Sequence, residues 1–369
     1  MGPRLIGVLR SLADNWLGRG EATVTVPSFD GALKPNQQLE SAQTIANFDA
    51  AQDLAGDGEN VYVADGPAVR VIEVTGAREI RRFDREISAL CCLPGGGLAV
   101  ALAGREVRVF GAASGADEGV AFADAGMNAV NALSAGPGGM LLATDGSRTQ
   151  TCERWAHDLM EKGKTGRLLS LDPATRRARE IVNELAYAFG ACTAGGEILV
   201  SESWRHRILA VSDDGRKRVA LDNLPAYPSR LSAAAAGGFW LTCFVARTQL
   251  VEFVLRENAY RRRMMKEIAP EFWIAPRLRS GASFEEPMQG AHIKTMGVIK
   301  PWAPPRSYGL VIRLDARGTP VYSLHSRVDG VNHGVVSAVE AGGALYVLAK
   351  GPGRLLRLPL AGLEAEMGR

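Results

Sequence analysis

The sequence predicts an all-β protein: a six-bladed β-propeller with an N-terminal helix and a helical insertion in the fifth blade. Three observations carry this. A glycine-led strand motif recurs six times, as GENVYVAD (58–65), GGGLAVAL (95–102), GGMLLATD (138–145), GGEILVSE (195–202), GGFWLTCF (237–244) and GGALYVLA (342–349). Each copy follows a small apolar strand and precedes a third strand, such as GRLLSLD or HRILAVS, and a spacing of about 40 residues fits one four-stranded blade. The 369 residues include 42 glycines and 18 prolines, the punctuation of many tight turns.

Taken in chain order, residues 1–20 open with Leu5, Ile6, Leu9, Leu12, Trp16 and Leu17 at helical spacing. That pattern predicts an amphipathic helix packed on the body. With Arg4 and Arg10 beside it, the same helix is also a candidate for peripheral membrane contact. The propeller is then expected over 21–360, leaving 361–369 as a C-terminal tail. The sixth unit ends at RLLRLPL (354–360) without a fourth strand. The alternating segment EATVTVPS (21–28) is expected to supply it and close the ring, which removes an exposed sheet edge.

Two units are oversized. The third carries SRTQTCERWAHDLMEKGKT between its second and third strands, and the fifth carries 245–306, where LVEFVLRENAYRRRMMKEI has helical periodicity. Both insertions leave from the same kind of connection, so they emerge on one face of the ring. Residues 245–306 are expected to form a lid over the channel end that carries Asn131 and His333.

Composition narrows the partners. The 43 basic and 40 acidic residues give a net charge of +3, too even for nucleic-acid binding. No stretch approaches the roughly 20 apolar residues of a membrane span. The N-terminus has no convincing secretion signal, so a cytoplasmic location is expected. The five cysteines are odd in number and lack metal-binding spacing, which suits buried small side chains in a reducing compartment. No GxSxG, HExxH, Walker A or dinucleotide fingerprint occurs. His206, between two arginines, is expected at the surface or channel rim.

In a propeller the first strand of every blade lines the channel, and the residues at the start of those strands converge at one end. Here they include Gln52, Asp53, Ser88, Asn131, Phe189, Ser229, Arg230 and His333. His333 and Asp53 are the catalytic candidates, His333 as a base. Asn131 would orient a substrate, and Arg230 would meet an anion or oxyanion. Gln52, Phe189 and Ser229 complete the substrate-binding set.

The stretches NALSAGPGGMLLATDGS, YAFGACTAGGEILVSESWRHRIL, LDNLPAYPSRLSAAAAGGFWL and HGVVSAVEAGGALYVLAKGPGRLLRL resemble the strictosidine synthase-like family. That family is related to the gluconolactonase and regucalcin propellers, and the resemblance covers most of residues 50–360. It implies a small-molecule site in the central channel. In the metal-dependent relatives a glutamate, two asparagines and an aspartate hold a divalent cation. Those positions fall at Gln52, Asn131, Phe189 and Ser229, so only Asn131 is retained. No metal or other cofactor is therefore expected, with weak divalent binding left open. The glutamate of the condensing enzyme falls at Val336, and Glu340 reads as a solvated turn residue. The expected function is action on a small organic molecule in the channel. The reaction would be hydrolysis of the lactonase or esterase type, or amine–aldehyde condensation by a strictosidine synthase-like lyase. A non-catalytic ligand- or partner-binding propeller is the alternative.

Overall fold

The computed structural model describes residues 26–115, 117–123, 126–279, 294–295, 298–299 and 307–367. The helix expected at 1–20 lies outside the described residues. Six four-stranded antiparallel sheets form the blades. Their first strands are Ala51–Gly56, Ile87–Leu93, Val130–Ala135, Ala188–Ala194, Ala226–Ala233 and Val335–Ala341. Each touches the next in this order, and the sixth touches the first, so the sheets close into a ring.

The strand sequences follow position in the blade. First strands such as AFGACTA use small residues because six of them crowd one axis. Second strands lie between neighbours on both sides and read as unbroken apolar runs. All six residues of Gly97–Leu102 and all eight of Phe239–Ala246 are buried. The outer strands Gly76–Arg82, Arg177–Leu185 and Lys217–Leu221 alternate with charge, as solvent-facing edges should.

The ring is closed by a different segment from the one expected. Gln43–Asn47, not 21–28, pairs antiparallel with Arg354–Pro359, with Gln43 opposite Arg357 and Asn47 opposite Arg354. Of the segment 21–28, residues 21–25 lie outside the described residues and 26–28 are not strand. The chain first runs along the outer edge of the fifth blade. Phe29 stacks on Tyr308 with ring centroids 5.2 Å apart, and Asn36 Nδ2 donates to the Ser323 carbonyl at 2.7 Å. The Leu39 N–H then donates to the His325 carbonyl at 3.0 Å. Only after this crossing can the chain reach the sixth blade. The short, polar QTIAN carries a weak strand pattern, and the stronger alternation lies before the crossing.

Residues 361–369, expected as a tail, belong in their described part to the helix Leu360–Met367, whose Leu363 packs in the sixth-blade core. The third-blade insertion contains the helix Trp155–Glu161. The fifth-blade insertion contains the helices Gln249–Arg256 and Asn258–Glu267, the first capped by the Thr248 hydroxyl accepting from the Val251 N–H. Leu159 and Met160 of one insertion share a core with Val251, Met264 and Trp273 of the other. The same core includes Tyr227 and Phe244 at the channel end. Glu252 ties this cover to the ring: Tyr227 Oη donates to Glu252 Oε1 at 3.1 Å, and His206 Nε2 lies 3.3 Å from it. Burial alone would raise the Glu252 carboxyl, but His206 and Arg247 overcome it and hold it at about 2. His206 is therefore buried against the insertion rather than exposed at the rim.

Deletion through Asn47 should abolish the cooperative thermal transition, because it opens the ring, whereas deletion through Ser28 should leave one. Circular dichroism melts distinguish the two. Equal losses would return the closing role to 21–28.

Candidate functional site

The channel is divided at its middle by one side chain. Arg230 rises from Ala226–Ala233 and spreads its guanidinium across the axis. Nη1 donates to the carbonyls of Gln52 at 3.3 Å and Val336 at 3.2 Å. Nη2 donates to the carbonyls of Ser88 at 3.1 Å and of Asn131. Four other blades thus share one cation. Its Nε lies 3.1 Å from Asp53 Oδ1, a charge contact off hydrogen-bond alignment. Gly190 permits the approach: a Cβ there would stand 2.7 Å from the Arg230 Cα.

Asp53 is 1% exposed. Oδ1 accepts from the Leu54 N–H at 2.8 Å and Oδ2 from the Leu90 N–H at 2.9 Å. Burial pushes its carboxyl upward, while Arg230 and these N–H groups oppose the shift. Donors at both oxygens and a permanent cation beside them are the surroundings of a carboxylate. Asp53 lines the cavity on the uncovered side of the partition, about 220 Å³ in volume, with Cys91, Ser134 and Ser337.

The covered side holds a narrower cavity of about 30 Å³, room for one or two waters. Its walls are Tyr187, Phe189 and Phe244, with Trp155 and Leu278 from the two insertions. Tyr187 is held at φ 61° and stacks on Trp204 at 4.4 Å. Trp204 in turn donates to Asp158 Oδ1 at 2.7 Å, so a strained wall residue is braced by the third-blade helix. The polar lining comes from Gln52, Ser88, Asn131, Arg230 and Lys350.

The structure brings together Gln52, Ser88, Asn131, Phe189 and Arg230 at this cavity and leaves out Asp53, Ser229 and His333. Asn131 is already spent: Nδ2 donates to the Ala188 carbonyl at 2.9 Å, and Oδ1 accepts from Thr144 Oγ1 at 2.8 Å. Ser229 is turned into the fifth blade, its hydroxyl 2.8 Å from Thr242 Oγ1. His333 does not line the cavity. Its Nδ1 is 2.7 Å from Ser307 Oγ and its Nε2 2.7 Å from the Arg327 carbonyl, so both ring nitrogens have partners. Burial also lowers its pKa. The expected base is therefore a packed histidine, and the other catalytic candidate, Asp53, serves the partition from the far side. Val336 contributes its carbonyl to Arg230. Glu340 is not a solvated turn residue: its carboxylate accepts from Trp240 Nε1 and from the Ala235 N–H at 2.9 Å.

Lys350 is the polar residue that sequence reasoning missed. It follows Ala344–Ala349, a second strand, rather than opening a first strand. In an antiparallel pair the end of the second strand returns to the same channel end, and the Lys350 N–H donates to the Gly334 carbonyl at 3.1 Å. The lone lysine after the apolar run ALYVLA was the available signal. Its Nζ donates to Gln52 Oε1. Protein surrounds the side chain, yet it keeps partial exposure because the cavity it lines lies deep in the channel. Burial, and then the Arg230 charge, lower its pKa to about 8. Cys152, in the same lining, has its thiol pushed up by burial to about 12, which makes it a poor nucleophile.

These residues do not fit a divalent cation. At the former ligand positions, Gln52 faces an ammonium, Asn131 has both amide ends engaged, Phe189 is apolar and Ser229 points elsewhere. Two cationic side chains line the space where a dication would need carboxylates. Among the described residues no cluster of three metal-ligating side chains occurs.

A family model described as Strictosidine synthase matches residues 131–210. Strictosidine synthase-like 6 of Arabidopsis thaliana is 21% identical over 64% of this chain and 56% of its own length. The chain resembles the strictosidine synthase-like family. A second relative is the adipocyte plasma membrane-associated protein of Salmo salar, 28% identical over 28% of this chain and 26% of that one. The chain thus spans about half the length of the first relative and a quarter of the second. Among solved structures, a gluconolactonase from Xanthomonas campestris superposes with a TM-score of 0.53 at 12% identity, over 91% of this chain and 95% of that one. A calcium-binding regucalcin from Agrobacterium tumefaciens gives 0.52 at 11% identity, over 86% and 93%. At such identities these two likenesses establish the propeller fold alone.

Replacing Arg230 with Met should leave Asp53 as an uncompensated buried charge and free four channel carbonyls. The expected loss is about 3–5 kcal/mol in urea unfolding; a loss under 1 kcal/mol would mean that the partition is not a stability element. Lys350 has the opposite sign. Its lowered pKa means that the unfolded chain binds more protons between pH 8 and the ordinary lysine value of 10.5. Stability attributable to Lys350 therefore rises with pH across that window. Lys350→Met should remove this slope and raise the melting temperature at pH 7, which paired melts at pH 7 and 9.5 would show.

Proposed function

We propose that this protein binds a small organic carbonyl compound in the covered channel cavity and acts on it without a metal. The observation that carries the reading is the lining itself: aromatic walls against Lys350 and Gln52. An apolar body fits such walls, and a carbonyl or anionic group fits the cationic end. The reaction class is either amine–aldehyde condensation or hydrolysis of a lactone or ester. The likeness to strictosidine synthase-like proteins supports the first, and the gluconolactonase-like fold is compatible with the second.

Segment 245–306 serves as the lid in this reading. Leu278 lines the cavity, and Trp273 touches the third-blade helix at His157, with ring centroids 4.7 Å apart. A ligand larger than water enters when Trp155 and Leu278 turn aside, since the closed cavity holds little more than solvent. A non-catalytic binding propeller is the second reading. One observation favours it: among the described residues, no carboxylate and no histidine lines the covered cavity.

A thermal-shift panel of aldehydes, lactones, amines and divalent ions tests the proposal. Aldehydes or lactones should raise the melting temperature, and Phe244→Ala should weaken the effect at least tenfold in apparent affinity. Calcium and zinc should give no shift and no micromolar binding by calorimetry. Micromolar metal binding that disappears in Asn131→Ala would overturn the metal-free reading. Ligand binding without any turnover would favour the second reading.

A further inference from the structure

We propose that Lys350 is an amine nucleophile that forms an imine with the carbonyl compound bound in the covered cavity. This deepens the reading above and rests on the cavity accepting a carbonyl compound. The geometry supports it in three ways. Lys350 supplies the amine of this cavity, and among the described residues no carboxylate stands within ion-pair distance of its Nζ. Its side-chain hydrogen bond, to the neutral Gln52 amide, fixes the position of Nζ without stabilising its charge as a carboxylate would. The guanidinium of Arg230 lines the same space and further disfavours a second cation. An ammonium placed between a guanidinium and aromatic walls releases its proton more readily than one in water, and the free amine is the nucleophile.

The chemistry needs no partner that the proposal does not name. The Nζ lone pair attacks the carbonyl carbon, and the C=O π pair moves to oxygen, which takes up a proton. The nitrogen loses a proton to solvent, giving the carbinolamine. Its hydroxyl takes up a second proton and leaves as water as the C–O bond breaks, the nitrogen lone pair forms C=N, and the nitrogen gives its second proton back to solvent. The balance is one aldehyde and one lysine giving one imine and one water. A second amine can then attack the C=N carbon and expel Lys350 as the free amine, giving a new imine. The net result is condensation of an aldehyde with an amine, catalysed through a covalent intermediate on the protein.

Benzaldehyde with sodium borohydride tests the step on the full chain. Borohydride reduces the imine to a stable benzylamine, which peptide mass mapping locates. The expected result is one dominant benzyl group on Lys350 at pH 8, at least tenfold above any other lysine. Its yield should rise to half-maximum near pH 8, whereas solvent-exposed lysines should reach half-maximum only near about pH 10. The charged and titratable groups that act on Nζ are Arg230 from the fifth blade, Cys152 and Glu153 from the third-blade insertion, and Asp53 from the first blade. Lys350→Arg and Lys350→Met should lose the adduct while keeping the native circular dichroism spectrum. Quenching of tryptophan fluorescence by benzaldehyde, without reductant, reports occupancy beside Trp155 separately. Quenching in wild type and Lys350→Met with no adduct at Lys350 would overturn the nucleophile and leave the cavity reading standing. No quenching and labelling spread evenly over surface lysines would overturn both.

Discussion

The guanidinium of Arg230 is the constraint on which the channel depends. A propeller brings the first strands of six blades to one axis, and some carbonyls there face a space with no strand to pair with. Leaving buried carbonyls unpaired costs free energy that no neighbouring blade can recover. Here one planar cation with several donors satisfies carbonyls of Gln52, Ser88, Asn131 and Val336 together. A lysine could not do this, because its donors sit on a single atom. Asp53 supplies the compensating charge, and two backbone N–H groups hold that carboxylate in place. The residues expected to face substrate at this level are instead occupied in closing the centre of the ring.

That arrangement explains what the sequence revealed and what it concealed. The blade count was legible because each blade repeats the same burial pattern, and second strands such as GLAVAL must be apolar throughout. The need for a donated closing strand was also legible, since RLLRLP has no successor strand. Its identity was not, because QTIAN is short and half-exposed, and its role depends on how residues 29–42 cross the fifth blade. At the site, the starts of first strands point to Gln52, Ser88, Asn131, Phe189 and Arg230, which line the covered cavity, but position does not reveal what a side chain already binds. Asn131 and His333 look free in sequence and are fully engaged in the fold. Lys350 was invisible to a search confined to first strands, although antiparallel pairing returns second-strand ends to the same place.

The two insertions show how cover and channel become one object. The third-blade helix reaches the wall through Asp158, Trp204 and Tyr187, a chain of one hydrogen bond and one ring stack. The fifth-blade helix reaches the ring through Glu252, which Tyr227 and Arg247 contact as well as His206. Because Tyr227 and Phe244 share a core with both insertions, movement of the cover is felt at the cavity wall. The cover therefore helps set the dimensions of the cavity, with Trp155 and Leu278 in its lining.

Charge decides which chemistry this cavity can support. A hard dication exchanges its hydration shell only for several oxygen ligands, at least some of them anionic. The covered cavity offers the reverse: the carboxylate of Asp53 lies beyond Arg230, and the amide of Gln52 is turned to Lys350. Adding a dication would place it against two existing positive groups in a region of low polarity, where repulsion is poorly screened. The same field acts favourably on other species. It lowers the proton affinity of Lys350 and attracts the partial negative charge of a carbonyl oxygen. A polarised carbonyl beside a partly deprotonated amine is the starting arrangement for addition. The positive charge at the centre of this channel is carried by the side chains of Arg230 and Lys350.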